Sequence, residues 1–148
     1  PCNLYGEYDH FDNPNQCHFI TALIRKIIDS ENEGRGEITL FGTGKPLRQF
    51  MYAGDLARTI KLMIENDIIE SFNVATPEEN NIKDMAEITL KALNKEMKVV
   101  FDTNKPDGQY RKTVSCKKML ESVGDFEFTK LEDGVKKVYD EVIKKYGK

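Results

Sequence analysis

The stretch His18-Phe19-Ile20-Thr21-Ala22-Leu23-Ile24-Arg25-Lys26-Ile27-Ile28, followed beyond Gly34 and Gly36 by Ile38-Thr39-Leu40-Phe41, decides the fold class. Its first part spaces Phe19, Ile20, Leu23, Ile24, Ile27 and Ile28 three or four residues apart, which makes one buried stripe on a helix. Gly34 and Gly36 stop that helix. Ile38, Leu40 and Phe41 then read as a short strand.

The same change of period repeats along the chain. Gly42-Thr43-Gly44-Lys45-Pro46 reads as a hairpin turn into a second extended piece, Arg48 to Tyr52. Asp55 is placed to cap a helix carrying Leu56, Ile60, Met63 and Ile64. Ser71 to Ala75 reads as a strand. Asn81 caps a third helix with the stripe Ile82, Met85, Ala86, Thr89, Leu90 and Leu93. Lys98 to Phe101 is a strand, Pro106-Asp107-Gly108 a turn, and Lys117 to Val123 a short helix. Thr129-x-x-Glu132 has the form of a capping box opening a last helix, whose stripe is Leu131, Val135, Val138, Val142 and Tyr146. Helices and strands alternate, which predicts an α/β fold in a single region spanning residues 1–148. The strands are too few and short for a complete doubly wound domain, and no GxGxxG or GxxGxxG dinucleotide fingerprint occurs.

Composition narrows the class. With 148 residues, 39% hydrophobic and 32% charged, the chain suits one soluble domain with a modest core. A net charge of −3 gives no general attraction to nucleic acid or an anionic membrane, so an anionic ligand needs a local cluster of cations or backbone N–H groups. No apolar run approaches the roughly 20 residues of a membrane helix, and no signal peptide is visible. Cys2, Cys17 and Cys116, odd in number and without CxxC spacing, argue against a disulfide framework or a zinc site and for the cytosol; no metal site is expected. The opening Pro1-Cys2-Asn3-Leu4-Tyr5-Gly6 reads as the end of a buried strand running into the polar loop Gly6 to Gln16, as in a piece of a longer protein.

Few residues suggest chemistry by themselves. His18 stands at the start of the first long helix, beside its apolar stripe, with Ala22, Arg25 and Lys26 on the same side. A rise of about 1.5 Å per residue sets Lys26 roughly 12 Å from His18, a span suited to an extended ligand with chemistry at one end and charge at the other. The plainer reading, a helix-start histidine with solvated basic neighbours, stays open. Cys17 and His18 are adjacent, so they point about 100° apart on a helix and do not form a nucleophilic dyad. The Gly42 to Pro46 turn lacks the Ser or Thr that a P-loop places after Gly-Lys. Arg48 offers a fork for a diphosphate or is an edge charge in water. Lys105 to Lys112 mixes cations with Asp107 and is either a clamp for a sugar nucleotide or a solvated tip. His10 reads as a loop residue.

Three motifs together carry a resemblance. Pro1-Cys2-Asn3-Leu4-Tyr5-Gly6 with Asp12-Asn13 resembles the P-x-N-hydrophobic-aromatic-G and acidic-Asn loop of extended short-chain dehydrogenase/reductases. Gly42-Thr43-Gly44, Arg48-Gln49-Phe50 and Tyr52-x-x-Asp55 resemble that superfamily's G-[ST]-G-x-P-x-R-[EQ]-F-x-[YH]-x-x-D segment. Asp102-Thr103-Asn104-Lys105-Pro106-Asp107-Gly108 with Arg111-Lys112 is similar to the D-T-x-K-x-D-G-x-x-[RK]-K stretch of the GDP-L-fucose synthase family, and Cys17 to Ile24 is similar to the helix with that family's catalytic histidine.

The resemblance implies the C-terminal portion of such an enzyme: the last part of a Rossmann-like sheet plus the small substrate-binding domain, with the NADP-binding region absent from this chain. It implies an NADPH-dependent epimerase-reductase that converts GDP-4-keto-6-deoxy-D-mannose to GDP-L-fucose, homodimeric and cytoplasmic when complete. By that likeness His18 is the acid/base group, Pro1, Cys2, Asn3, Leu4 and His18 line the NADP(H) site, and Lys26, Phe41, Arg48 and Asp107 hold the GDP-sugar. Phe41 stands where many members carry Trp, Cys2 replaces a common Thr, and Thr21 a common Pro. The family's catalytic cysteine aligns with none of the three cysteines, and its Tyr-x-x-x-Lys pair is absent, so residues 1–148 alone are expected to be inactive. The alternatives are another nucleotide-sugar epimerase or reductase of the superfamily, or a non-catalytic nucleotide-sugar binding module.

Overall fold

The structure, a computed structural model, describes residues 1–12 and 16–146. Asn13, part of the acidic-Asn motif, and Pro14 and Asn15 of the polar loop lie outside the described residues. The elements are β1 (Asn3–Tyr5), α1 (Phe19–Asn32), β2 (Glu37–Phe41), β3 (Leu47–Arg48), β4 (Phe50–Tyr52), α2 (Ala53–Glu65), β5 (Asn80–Asn81), α3 (Ile82–Ala92), β6 (Lys98–Asp102), β7 (Arg111–Lys112), α4 (Lys117–Val123) and α5 (Leu131–Tyr146).

Helix α1 forms where the apolar spacing predicts it. Ile20, Leu23, Ile24 and Ile27 are each at most 1% exposed. Burying one such side chain stabilises by about 2 kcal/mol, against about 1 kcal/mol for a good N-cap. Packing therefore fixes the helix even though its N-cap, His18, makes no side-chain capping bond. Helix α1 faces two cores. Ile20 and Ile24 pack with Tyr5, Phe11, Met85 and the α5 residues Leu131, Val135, Val138 and Val142. Leu23 and Ile27 pack with Ile38, Leu40, Ala86 and Leu90. A third cluster, Met51, Val74 and Met119, lies beneath Cys2, Leu4 and Phe72.

Strand pairing departs from the sequence reading. The Gly42 to Pro46 turn is no hairpin, because β2 pairs in parallel with β6, Phe41 opposite Asp102. The piece from Arg48 to Tyr52 is divided at Gln49. There β3 joins β5 (antiparallel) and β7 (parallel), while β4 runs parallel to β1. The cause is the Gln49 carboxamide, 4% exposed, which donates to the carbonyls of Thr76 and Val114 and accepts from Val114 N. Those bonds take the chain out of one sheet and into another. Residues 71–75 form no ladder; one bond, from Cys2 N to the Val74 carbonyl at 2.8 Å, holds them beside β1.

Two caps are also different. Asn81 caps α3 as expected, accepting from Asp84 N at 2.7 Å. Asp55 does not cap α2; it sits inside the first turn, 1% exposed, and accepts from Thr129 N, Thr129 Oγ1 and Arg58 at 2.7–2.8 Å. The Thr129 hydroxyl is thereby spent on Asp55, which ties the approach to α5 onto α2 in place of the expected capping box. The outward side of α2 leaves Ile60 48% and Ile64 73% exposed.

Close packing of β1 on α5 gives a stability test. A Cβ on Gly134 would lie 2.2 Å from Tyr5 Oη and 2.8 Å from Tyr5 Cζ. Replacing glycine by alanine within a helix ordinarily gains up to about 1 kcal/mol, whereas overpacking costs about 1–3 kcal/mol. Gly134→Ala is expected to lower stability by about 1–2 kcal/mol in urea unfolding, and adding Tyr5→Phe should recover part of the loss. An increase for Gly134→Ala alone would contradict this packing.

Candidate functional site

Strand β1 ends at Tyr5, and the chain turns at Gly6 into the loop that carries Asp9 back to the start of α1. His18 is the N-cap of that helix, in extended conformation, with its carbonyl accepting from Ala22 N at 2.8 Å. Its ring is not in the interior: the side chain is 66% exposed, with Nδ1 2.8 Å from Asp9 Oδ1. Asp9 also accepts from His10 N at 2.8 Å, from His18 N at 3.3 Å and from Thr21 Oγ1. Burial alone would raise the Asp9 carboxyl, but the hydrogen bonds from Thr21, His18 and His10 N prevail and hold it below the ordinary 3.8.

His18 borders a cleft of about 900 Å³ that Cys2, Asn3, Leu4, Asp9 and Tyr52 also line. Pro1 is exposed and is not among the cleft residues. Burial raises the Cys2 thiol above its ordinary value, so Cys2 enters the cleft as a neutral group. Asn3 is fixed by donating from Nδ2 to the Gln49 carbonyl at 3.0 Å. Tyr52, which sequence reasoning had only as a motif position, donates from its hydroxyl to Glu7 Oε1 at 2.5 Å. Burial and that carboxylate push its phenol up to about 12.

The second group of expected residues lies on other loops. Phe41, at the end of β2, is 64% exposed, with Lys26 Nζ 5.6 Å and Lys105 Nζ 5.7 Å from its ring centroid. Two ammonium groups on one exposed ring make a cationic, stackable surface. Asp107 accepts from Thr43 N at 2.6 Å and Thr43 Oγ1 at 2.8 Å, and these two bonds hold its carboxyl below the ordinary value, helped by Lys45 and Arg48. A Cβ on Gly42, whose φ is +79°, would lie 2.2 Å from Asp107 Oδ1, so glycine is required both for the backbone angle and for the approach. Arg48 donates to its neighbour's carbonyl, Leu47 O, at 2.7 Å, and its Nη2 would be 3.9 Å from a Cβ on Gly108. Lys26, Phe41, Arg48 and Asp107 thus gather around the turns after β2 and β6.

Arg25 departs from the expected side. It donates to the Phe11 carbonyl and, at 3.4 Å, to Asp29, so it braces the loop instead of joining Lys26. Cys17 Sγ meets the His10 carbonyl at 2.8 Å. The residue that sequence reasoning missed is Asp9. Its signal was an acidic residue in a polar loop nine positions before a histidine, which no local period marks.

The chain as a whole is similar to known proteins. The chain is 34% identical to GDP-L-fucose synthase 1 of Arabidopsis thaliana over 97% of its length and 44% of that protein's. It is 36% identical to the GDP-L-colitose synthase of Yersinia pseudotuberculosis over 93% of the chain and 44% of the relative. The crystal structure of a GDP-L-fucose synthetase from Naegleria fowleri bound to NADP superposes with a TM-score of 0.86 at 33% identity, covering 97% of this chain and 45% of that one. The chain spans less than half the length of the curated relatives it matches. Residues 1–75 match the model of the NAD dependent epimerase/dehydratase family, and with the α/β architecture and these likenesses the chain belongs to that family.

Proposed function

We propose that this chain is the substrate-binding part of an NADPH-dependent epimerase-reductase that converts GDP-4-keto-6-deoxy-D-mannose to GDP-L-fucose. The observation that supports it best is on α1. His18 opens the helix at the cleft, and Lys26, eight residues on, stands over the exposed Phe41 ring. In this reading the hexose lies beside the imidazole and the GDP runs toward Lys26, Lys105 and Arg48, whose charges offset its phosphates. Asp107 has two lone-pair sites left after Thr43 and accepts from ligand hydroxyl or N–H groups.

The 4-ketone acidifies the protons on C3 and C5. His18 exchanges them as a general acid/base, a contribution of about 10²–10⁴ in rate; the partner on the other sugar face comes from residues outside this sequence. NADPH, when bound, supplies the hydride that reduces C4. Cys2, Asn3 and Leu4 suit its uncharged nicotinamide end. The cleft is lined by Glu7, Asp9 and Glu141, with Lys137 and Lys145 set against the rings of Tyr52 and Tyr8, and the cofactor's phosphates are assigned to residues outside this sequence. The glycine-rich loop and the Tyr-x-x-x-Lys pair also lie outside residues 1–148, and the complete enzyme is a cytoplasmic homodimer. Among the described residues no helix is long and apolar enough to cross a membrane. The equal likeness to a GDP-L-colitose synthase favours a second reading, the same site on a different GDP-sugar.

Three measurements check this. Calorimetry on the 148-residue chain should show GDP binding in preference to UDP and dTDP, weakened about tenfold by Lys26→Ala, as loss of one charged contact implies. Equal binding of all three nucleotides would sink the substrate assignment. In the complete enzyme, His18→Gln should slow deuterium wash-in at C3 and C5 by about 10²-fold or more while NADPH affinity changes less than about twofold. Unaltered wash-in would remove His18 from the chemistry, and NADPH oxidation by the 148-residue chain alone would refute the need for outside residues.

A further inference from the structure

A ring that is 66% exposed has no apolar walls to fix its orientation, and a general base must present one particular nitrogen to its substrate. We propose that Asp9 is the positioning residue of His18, holding Nδ1–H so that Nε2 is the nitrogen that exchanges protons in the cleft. The inference rests on the acid/base role given to His18 above and adds the atom that performs it.

The geometry carries it. An ionised carboxylate only accepts hydrogen bonds, so the nitrogen 2.8 Å from Asp9 Oδ1 is the one that bears the hydrogen. The neutral ring then has its lone pair on Nε2. A substrate C–H proton passes to Nε2 while its electron pair delocalises onto the ketone oxygen, and the resulting imidazolium is stabilised by the adjacent carboxylate. The reverse transfer returns the proton from Nε2.

Asp9 is itself held without the ring. His10 N, His18 N and Thr21 Oγ1 all donate to it, and Thr21 is fully buried on α1. These donors keep the carboxyl ionised across neutral pH. The surrounding loop is anchored from three directions. Arg25 donates to the Phe11 carbonyl, the Phe11 ring is 4% exposed in the core, and the Tyr146 hydroxyl of α5 donates to Asp12 at 3.1 Å. The carboxylate is therefore in place before the imidazole turns toward it, and the one hydrogen bond decides the tautomer. The Tyr52 hydroxyl engages Glu7, a second of the cleft's carboxylates.

The first test uses the unaltered 148-residue chain. Ring ¹⁵N shifts of neutral His18 should report the Nδ1–H tautomer, the minor form of free imidazole. An Nε2–H ring would overturn the proposal whatever the reaction proves to be. In the complete enzyme, Asp9→Ala should slow deuterium wash-in at C3 and C5 by about tenfold to a hundredfold, a fraction of the full acid/base contribution. KM for the GDP-sugar should stay within about twofold, and Asp9→Glu should restore part of the rate. A loss confined to KM, or a wild-type rate in Asp9→Ala where His18→Gln is inactive, would sink the positioning role and leave the acid/base reading standing. If His18→Gln itself exchanges at the wild-type rate, the acid/base reading falls, and the ring ¹⁵N result still decides the Asp9–His18 geometry.

Discussion

Burial of α1 on two sides is the constraint from which the rest of the arrangement follows. Ile20 and Ile24 are committed to the core shared with α5, and Leu23 and Ile27 to the core shared with β2 and α3. Four side chains at about 2 kcal/mol each exceed what any single cap or surface ion pair contributes. A helix locked about two lines of contact cannot rotate about its own axis. Its third side is then fixed as well, and that side bears His18 at one end and Lys26 toward the other. The orientation of the proposed site is a by-product of hydrophobic packing; the polar contacts only refine it.

The refinement has opposite character at the two ends. Around His18 the neighbours are carboxylates and hydroxyls, Asp9, Glu7 and Tyr52, each already hydrogen-bonded. Around Phe41 they are ammonium groups, with a guanidinium nearby on β3. With a net charge of −3 the chain exerts no long-range pull on an anion, so attraction has to be local, as the Lys26 and Lys105 pair makes it. Lys95 is no rival, since its ammonium is engaged by Glu31. A carboxylate-bearing end and a cationic end about a helix segment apart suit the ligand proposed above, whose negative charge is at one terminus only.

Local order was legible in the sequence, and tertiary commitment was not. The helices α1 to α5 and the strands β2 and β6 follow from period and local signals, because those reside within a dozen residues. The Asn81 cap is of this kind. Asp55 and Thr129 misled because each is a good capping residue by type, and only the fold reveals that they bond to each other across 74 positions. The supposed hairpin after β2 failed for a similar reason: Gly42 and Gly44 mark a tight turn whether or not the flanking strands pair. The break at Gln49 depends on carbonyls at Thr76 and Val114, far along the chain. Lys26 and Arg48 were legible as cations placed to meet an anion, Phe41 and Asp107 through family likeness, and all four lie around the turns after β2 and β6. Asp9 entered through nothing, since its partners are in space.

The correction to β2 carries the most structural meaning. Had β2 and the next strand formed a hairpin, the turn at Gly42 to Lys45 would have been a solvated tip with its own register. Because β2 and β6 are parallel, both strands end at the same level, Phe41 opposite Asp102, and Gly42 N donates to the Asp102 carbonyl at 3.0 Å. The chain then leaves both strands in one direction, which brings Thr43 onto Asp107 and Lys105 onto Phe41. The same logic acts at the other end: β1 and β4 are parallel, Tyr5 opposite Tyr52, and the segments that follow them supply Asp9 and the start of α2 to one cleft. Ligands of α/β proteins gather beyond the carboxyl ends of parallel strands because that is where loops of distant origin meet. Both halves of the proposed site obey this rule, although each sheet has only two strands. The fragmentary sheets therefore matter less for the stability they add than for the direction in which they release the chain.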